Sequence, residues 1–242
     1  MKRLDFIRIN ALALIGLGNL SFQNLNEIPT EAFLTGRINS ELTKDKLLHK
    51  TAFKAFEEMQ KAAKEKHIDI EIVSGYRSFK HQLSIWNRKY EYHRKKGLTG
   101  PEILDEITKY SAIPGTSRHH WGTEIDIIDG NNSRPQSNIL QAHNFNDSGN
   151  YCELNEWMQK NAHKFGFYQV YTNDKNRTGF SYEPWHYSYK PLSKPYFESY
   201  IKIDLPSIYT KEDILGKAYL NQNYLLKYSK SHIHGINPEL LN

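Results

Sequence analysis

The spacing of apolar residues predicts a helix and then a strand in the first third of the chain. After Thr43, which is suited to cap a helix, apolar side chains recur at intervals of three and four residues as far as Ala63, and this is the period of an amphipathic α-helix. Ile68, Ile70 and Ile72 then alternate with acidic residues, which is typical of a strand with one buried face. The change of period separates the two elements.

Helices and strands continue in mixed order along the rest of the chain. The patterns predict helices at 78–93, 102–110 and 153–165, strands at 122–128, 167–171 and 185–189, loops at 94–101, 130–150 and 172–181, and an amphipathic helix after residue 211. Since the helices and antiparallel-looking strands do not alternate regularly, the predicted fold class is α+β. We expect a single domain with a small antiparallel sheet flanked by helices.

The same patterns divide the chain into four segments. The first, 1–22, has basic residues before an apolar stretch at 9–20, which predicts a signal peptide or, if it is not cleaved, an N-terminal membrane anchor. A buried N-terminal strand or helix is the alternative. Residues 23–42 are predicted to be a leader, 43–192 the main domain, and 193–242 a C-terminal extension with a helix. We therefore expect an exported protein of the periplasm or cell envelope.

Composition narrows the classes of function. The chain has 242 residues, of which 38% are hydrophobic and 13% aromatic, so it can bury a substantial core. Its formal net charge is +5, but no dense run of Lys and Arg is interleaved with aromatic residues, which argues against a nucleic-acid partner. Cys152 is the only cysteine, so an intramolecular disulfide and a Cys-rich metal site are both excluded. Any metal must be bound by His and carboxylate side chains.

One candidate site lies around His119 and Asp126. Seven fully extended residues would separate these two by about 23 Å, too far to share a metal. Gly122 lies between them and supplies the backbone freedom to fold the chain back. Asp126 stands between two isoleucines on a predicted strand, where a carboxylate is costly unless it is paired or bound to a metal. The neighbouring His120 is an equal candidate, because spacing alone does not choose between the two histidines.

A second candidate is the pair Glu183 and His186. Strict alternation would put these side chains on opposite faces of a strand, so we expect Glu183 before the regular strand, where Pro184 breaks the ladder. A catalytic zinc takes about three protein ligands, and two histidines with one aspartate supply them. A nearby carboxylate that is not a ligand can serve as general base. Taken alone, Glu183 and His186 also fit an ordinary surface pair.

A third segment completes the pattern and brings in a known family. Arg77 follows the first predicted strand, where an arginine beside a pocket is suited to bind a carboxylate. The motifs S-G-Y-R-S-x-x-x-Q, S-x-H-x-x-G-x-x-x-D and E-x-W-H stand in this order within roughly 43–192. Together they resemble the VanY-type zinc D-alanyl-D-alanine carboxypeptidases, which have a hedgehog-like fold. The resemblance implies zinc ligands at His119, Asp126 and His186, a general base at Glu183, and substrate-binding residues at Arg77, Gln82 and Ser117.

The resemblance also implies an activity and a partner. We expect residues 43–192 to be a catalytic domain with one Zn²⁺ per chain that hydrolyses the terminal D-Ala-D-Ala bond of peptidoglycan stem peptides, and the protein to be a monomer. The alternatives are an L,D-carboxypeptidase, a D,D-dipeptidase, a cell-wall endopeptidase, or a non-catalytic wall-binding module with a structural zinc. Glu124 departs from the family, in which many members have a small residue. We expect it to narrow the pocket or to add negative charge near the metal.

Overall fold

The computed structural model describes residues 29–45, 47–136, 138–210 and 212–242. The predicted signal peptide or anchor at 1–22 lies outside these residues. Within the described ranges, the helices are all too short or too polar to span a membrane.

A four-stranded antiparallel sheet in the order β1-β2-β4-β3 forms the centre of the fold. The strands are β1 (Ile70–Ser74), β2 (Glu124–Asp129), β3 (Phe167–Gln169) and β4 (His186–Tyr189). β2 lies between β1 and β4, and its register places Asp126 opposite His186 on one side and opposite Ser74 on the other. The predicted α+β class with a small antiparallel sheet is confirmed.

Helices surround this sheet. In the described residues the α-helices are α1 (Glu31–Leu34), α2 (Lys50–Lys64), α3 (Phe79–Lys95), α4 (Gly100–Thr108), α5 (Cys152–Asn161), α6 (Lys190–Tyr200), α7 (Leu205–Ile208) and α8 (Gln222–Tyr228). α2 begins later than the predicted start at Thr43, because the Thr43 N–H donates to the Leu48 carbonyl at 2.8 Å and closes a loop. His49 caps the helix instead, its Nδ1 accepting from the Thr51 N–H at 3.1 Å.

Two clusters of buried apolar side chains hold the elements together. The first lies between the sheet and the helices α2 and α5, and includes Phe56, Met59, Ile125, Leu154 and Tyr187. The second packs around α3 and α4, and its members on those two helices are Phe79, Trp86, Ile103, Leu104 and Ile107. The two clusters leave the middle of the sheet between them, so polar groups there are surrounded by rigid, packed structure.

The segment predicted as a C-terminal extension is part of the second cluster. α6 runs across residue 192, and Phe197, Tyr200, Leu225 and Tyr228 are buried against the side chains of α3 and α4. The indole N–H of Trp86 on α3 donates to the Leu215 carbonyl at 3.0 Å. Side chains from residues 193–242 therefore pack into the same cluster as those of α3 and α4 and help to close it, while the domain bounds stay a prediction.

The described part of the predicted leader also packs on the domain. Leu34 on α1 is 2% exposed and belongs to the second cluster. The indole N–H of Trp121 donates to the Leu34 carbonyl at 3.0 Å. α1 thereby lies against the turn that carries His119, so this end of the chain supports the candidate site.

Candidate active site

Three side chains from separate segments converge at the middle of the sheet. His119, Asp126 and His186 each offer one ligand atom, and the three atoms lie within 4.8 Å of one another. His119 lies in a 3-10 turn, Arg118–Trp121, which Gly122 ends in the left-handed conformation with φ of 70°. Because only this reversal brings His119 back over β2, the chain folds at the residue that the sequence indicated. His186 reaches Asp126 directly, as its register partner on β4.

Hydrogen bonds fix which nitrogen of each imidazole faces Asp126. His119 Nδ1 lies 2.7 Å from the Gly75 carbonyl, to which it donates, so Nε2 carries the lone pair. His186 Nε2 lies 3.1 Å from the Glu124 carboxylate, and when the neutral ring donates its proton there, Nδ1 carries the lone pair. His119 Nε2 and His186 Nδ1 are each 3.4 Å from an Asp126 oxygen. These two nitrogens are therefore the ones presented for coordination.

This donor set fits a metal ion. Lone pairs that point at a carboxylate repel it unless a cation or a proton lies between them. Asp126 Oδ1 is buried and has no hydrogen-bond partner among the described residues, which in a native structure calls for an explanation such as an ion. Two imidazole nitrogens and one carboxylate oxygen are the ligands of a catalytic zinc site with a position left open for water or substrate.

The charges around this group also favour a cation. Burial lowers the pKa of His186, but Asp126, Glu124 and Glu183 outweigh it and raise that pKa to about 10. Burial raises the pKa of Asp126, but His119 and His186 outweigh it and hold that pKa at about 2. The Asp126 and Glu124 carboxylates are thus ionised at neutral pH, one on each side of the His186 imidazole. The excess of negative charge stabilises either a proton or a metal ion at this point.

Glu183 lies beside the group on the turn before β4. Its backbone N–H donates to the Tyr171 carbonyl at 3.0 Å, and its own carbonyl accepts from the His186 N–H at 3.2 Å. Because the strand begins only at His186, the turn through Pro184 places both side chains on one side, and Glu183 Oε2 lies 3.1 Å from His186 Nδ1. Burial raises the pKa of Glu183, and the nearby Asp126 charge adds to that rise. The carboxylate is poised to accept and return a proton.

Arg77 forms the adjoining wall. Its guanidinium donates to Gln82 Oε1 at 2.8 Å and to Ser74 Oγ at 3.0 Å, and one nitrogen lies 4.0 Å from Asp126. Gln82 is fully buried, and its amide nitrogen donates to the Ala112 carbonyl at 2.7 Å. Gln82 therefore holds Arg77 from the buried side and is not among the residues that line the cleft, so its contact with substrate stays a prediction.

Comparison with known proteins places this arrangement in a family. Residues 45–192, more than half of the chain, match the sequence model of VanY, D-alanyl-D-alanine carboxypeptidase. The chain belongs to the VanY family. A D-alanyl-D-alanine carboxypeptidase of Enterococcus faecalis is 34% identical over 119 residues, which are 49% of this chain and 39% of that protein. The family that the three motifs resembled is thereby confirmed.

Two further relatives extend the comparison. VanXYC of Enterococcus gallinarum, a bifunctional D-Ala-D-Ala dipeptidase and carboxypeptidase, is 34% identical over 125 residues, covering 51% of this chain and 57% of that protein. The matches thus span about half the length of these curated relatives. The solved structure of VanYB in complex with D-alanine-D-alanine superposes with a TM-score of 0.50 at 24% identity, covering 75% of this chain and 87% of that one. This likeness shows that the VanY fold is shared.

The site of this VanY-family chain opens into a cleft of about 650 Å³. Arg77, Ser117, His119, Asp126, Glu183 and His186 line its floor. Tyr171, Phe180, Tyr182 and Trp185 form an aromatic wall, and the loop segment 140–143 lies at the rim. The sequence interpretation had left the loop at 130–150 without a role, and the structure places part of it among the residues that line the cleft.

Lys89 and Ser111 are lining residues that the sequence interpretation missed. Lys89 Nζ donates to Ser111 Oγ at 2.5 Å, and both side chains line the cleft. Burial lowers the pKa of Lys89, and the Arg77 charge lowers it further. The helical period could have indicated that Lys89 lines the cleft. Ile85 and Lys89 are one turn apart on α3 and lie on the face that also carries Gln82.

Glu124 does not narrow the cleft as expected. It is fully buried beneath His186 and is not among the residues that line the cleft. Burial alone raises the pKa of Glu124, but Arg118 and His186 outweigh it and hold that pKa at about 2. The side chain therefore brings a full negative charge close to the metal group, and it does so from the side away from the substrate.

Proposed function

We propose that this chain is a zinc-dependent carboxypeptidase that hydrolyses the terminal D-Ala-D-Ala bond of peptidoglycan stem peptides. The observation that carries the proposal is the buried Glu183 carboxylate beside His119, Asp126 and His186 at the floor of an open cleft. Membership of the VanY family supports the substrate class. A structural or wall-binding zinc module has no use for a buried carboxylate held next to its ligands, so the geometry favours an enzyme.

His119 Nε2, an Asp126 oxygen and His186 Nδ1 would hold the zinc ion. When bound, zinc supplies a Lewis acid that polarises a carbonyl group and acidifies water. The protein keeps these ligands in place through the Gly75 carbonyl on His119 and the β2–β4 register on Asp126 and His186. The three ligand side chains are therefore already in position, and none of them has to move to bind the ion.

Glu183 moves the proton during hydrolysis. Its carboxylate accepts the proton of the water that attacks the scissile carbonyl carbon, and then donates it to the nitrogen of the leaving D-alanine. Since burial raises the pKa of Glu183 above that of an ordinary glutamate, the group accepts a proton more readily than an ordinary carboxylate does. Tyr171 packs edge-on against His186, with 5.0 Å between the ring centres.

Cationic side chains select a substrate with a free carboxylate end. Arg77 is 18% exposed in its side chain, and one guanidinium nitrogen lies 4.0 Å from Asp126 Oδ2. Lys89 lies on the same wall of the cleft. Together they bind the terminal carboxylate and place the last peptide bond over the metal group, which makes the enzyme an exopeptidase.

Defined muropeptides test this function. Incubation of the purified protein with a stem pentapeptide ending in D-Ala-D-Ala is expected to release one D-alanine, detected by the product masses. Release of the D-Ala-D-Ala dipeptide would instead identify a D,D-dipeptidase. Cleavage of a stem tetrapeptide but not of the pentapeptide would identify an L,D-carboxypeptidase. Activity should disappear with a chelator and return with Zn²⁺. Turnover that survives complete removal of metal contradicts the proposal.

We propose that the protein acts in the periplasm or cell envelope, with the N-terminal segment as a cleaved signal or an uncleaved anchor. The basic residues that precede the apolar stretch at 9–20 support export, and so does a substrate that belongs to the cell wall. Cell fractionation with N-terminal sequencing tests this point. A full-length protein found only in the cytosolic fraction would exclude it.

A further inference from the structure

We propose that Glu124 is a positioning residue that fixes the orientation and tautomer of His186 for metal binding. The inference rests on the proposed function, since it takes His186 to be a zinc ligand. Glu124 is a carboxylate in the middle of the sheet, and none of its surface is exposed. A buried charge at such a point is costly unless it has a specific partner.

The two ring nitrogens of His186 face carboxylates on opposite sides. Nε2 lies 3.1 Å from Glu124 Oε2, while Nδ1 lies 3.1 Å from Glu183 and 3.4 Å from Asp126. A neutral imidazole carries one N–H, and the other nitrogen is the possible ligand. By accepting the Nε2–H, Glu124 leaves the lone pair on Nδ1, which faces the metal group. Carboxylates commonly hold metal-binding histidines in this way.

Glu124 is itself rigidly held. Its Oε1 accepts from Ser188 Oγ at 2.6 Å, from Thr123 Oγ1 at 3.0 Å and from Arg118 Nη2 at 3.2 Å. These bonds occupy one oxygen and turn the other toward His186. Ser188 is the register partner of Glu124, just as His186 is that of Asp126. The strand pairing that brings the ligands together therefore also brings the positioning group to its ligand.

Neutralising Arg118 is the competing role for Glu124. The Arg118 guanidinium is buried, and its Nε and Nη1 have no hydrogen-bond partner among the described residues. Removal of Glu124 alone would leave this cation uncompensated, and the protein could unfold for that reason. Replacing both members of the pair with side chains of similar size avoids that outcome, since such replacements are often neutral for stability.

The experiment compares Arg118→Met with the double variant Arg118→Met/Glu124→Met. Zinc affinity of the metal-depleted proteins is measured by competition with a chromophoric chelator, and thermal unfolding is measured before zinc is added. We expect Arg118→Met to bind zinc within about threefold of the wild type. The double variant should bind zinc about 10- to 100-fold more weakly. A double variant with the affinity of the single variant would show that Glu124 only neutralises Arg118.

Two further readouts keep the inference separate from stability and from the proposed function. In the zinc-loaded wild type, NMR should show a slowly exchanging Nε2–H proton of His186, and the double variant should lack that protection. A protected proton that persists in the double variant would overturn the inference. The His186→Ala variant reports on the metal site itself: undiminished zinc affinity there would refute the proposed site, whatever Glu124 does.

Discussion

The two faces of the β2–β4 strand pair have the same backbone and opposite chemistry. On one face Glu124 pairs with Ser188 and Asp126 with His186, and all four side chains are buried and polar. On the other face Ile125 pairs with Tyr187 in the apolar cluster below α2 and α5. Because side chains alternate along a strand, one register sets both faces at once.

The difference shows how a small domain can hold a costly group of charges. Five ionisable side chains lie in or beside the polar face, and each is paired with another member or with a fixed hydrogen-bond donor. The apolar face supplies the burial that holds the strands in register. Function and stability are therefore assigned to alternate residues, and substitutions can separate the two properties.

The largest expected effect comes from His186→Ala on the polar face. This change removes one of three metal ligands, so we expect zinc binding and turnover to be lost together. Metal content after dialysis and release of D-alanine are the two measurements. The unfolding temperature of the metal-depleted variant serves as control, because a lost ligand should leave the apolar face intact. Retention of stoichiometric zinc would contradict the ligand assignment.

Glu183→Ala should separate chemistry from metal binding. Loss of a general base costs about 10²- to 10⁴-fold in rate, so we expect kcat to fall by that amount while the zinc content stays at one per chain. Steady-state kinetics with the pentapeptide and metal analysis of the same preparation provide the readouts. A variant with nearly normal kcat would remove Glu183 from the mechanism.

Two local turns of the candidate metal group could be predicted from sequence features. Gly122 is needed to fold His119 back over β2, and its φ of 70° confirms that turn. Pro184 predicted that Glu183 precedes the strand, and β4 does begin at His186. Both features act within a few residues, so the sequence contains the physical reason for them.

The partners of other residues could not be predicted because they come from distant segments. Glu124 meets His186, which is 62 residues away in the sequence, and Gln82 donates to the Ala112 carbonyl 30 residues away. The tail after residue 192 shows apolar spacing, but its burial depends on Trp86 and its neighbours on α3. Such pairings follow from the tertiary packing, which periodicity does not specify.

Ile125→Ala tests the apolar face. Ile125 is fully buried, and truncation of such a side chain costs about 2–5 kcal/mol of unfolding free energy through lost burial and a cavity. Chemical denaturation measures the change. At temperatures where the variant is folded, zinc affinity and kcat should remain close to those of the wild type, since the adjacent Asp126 points to the other face. A selective loss of zinc affinity in the folded variant would show that the faces are coupled.

The smallest effect is expected outside the strand pair, at Lys89 on the cleft wall. Lys89→Met keeps much of the side-chain volume and removes the charge, while Arg77 still binds the substrate carboxylate. We expect KM for peptides with a free terminus to rise about three- to tenfold, which corresponds to roughly 1 kcal/mol for one charge-assisted contact. kcat should change little, because Lys89 does not touch the polar face.

The matched control is a C-terminally amidated peptide, whose slow hydrolysis should be unaffected by the substitution. An equal rise in KM for both peptides would mean that Lys89 supports the shape of the cleft through Ser111 and does not bind the terminal carboxylate.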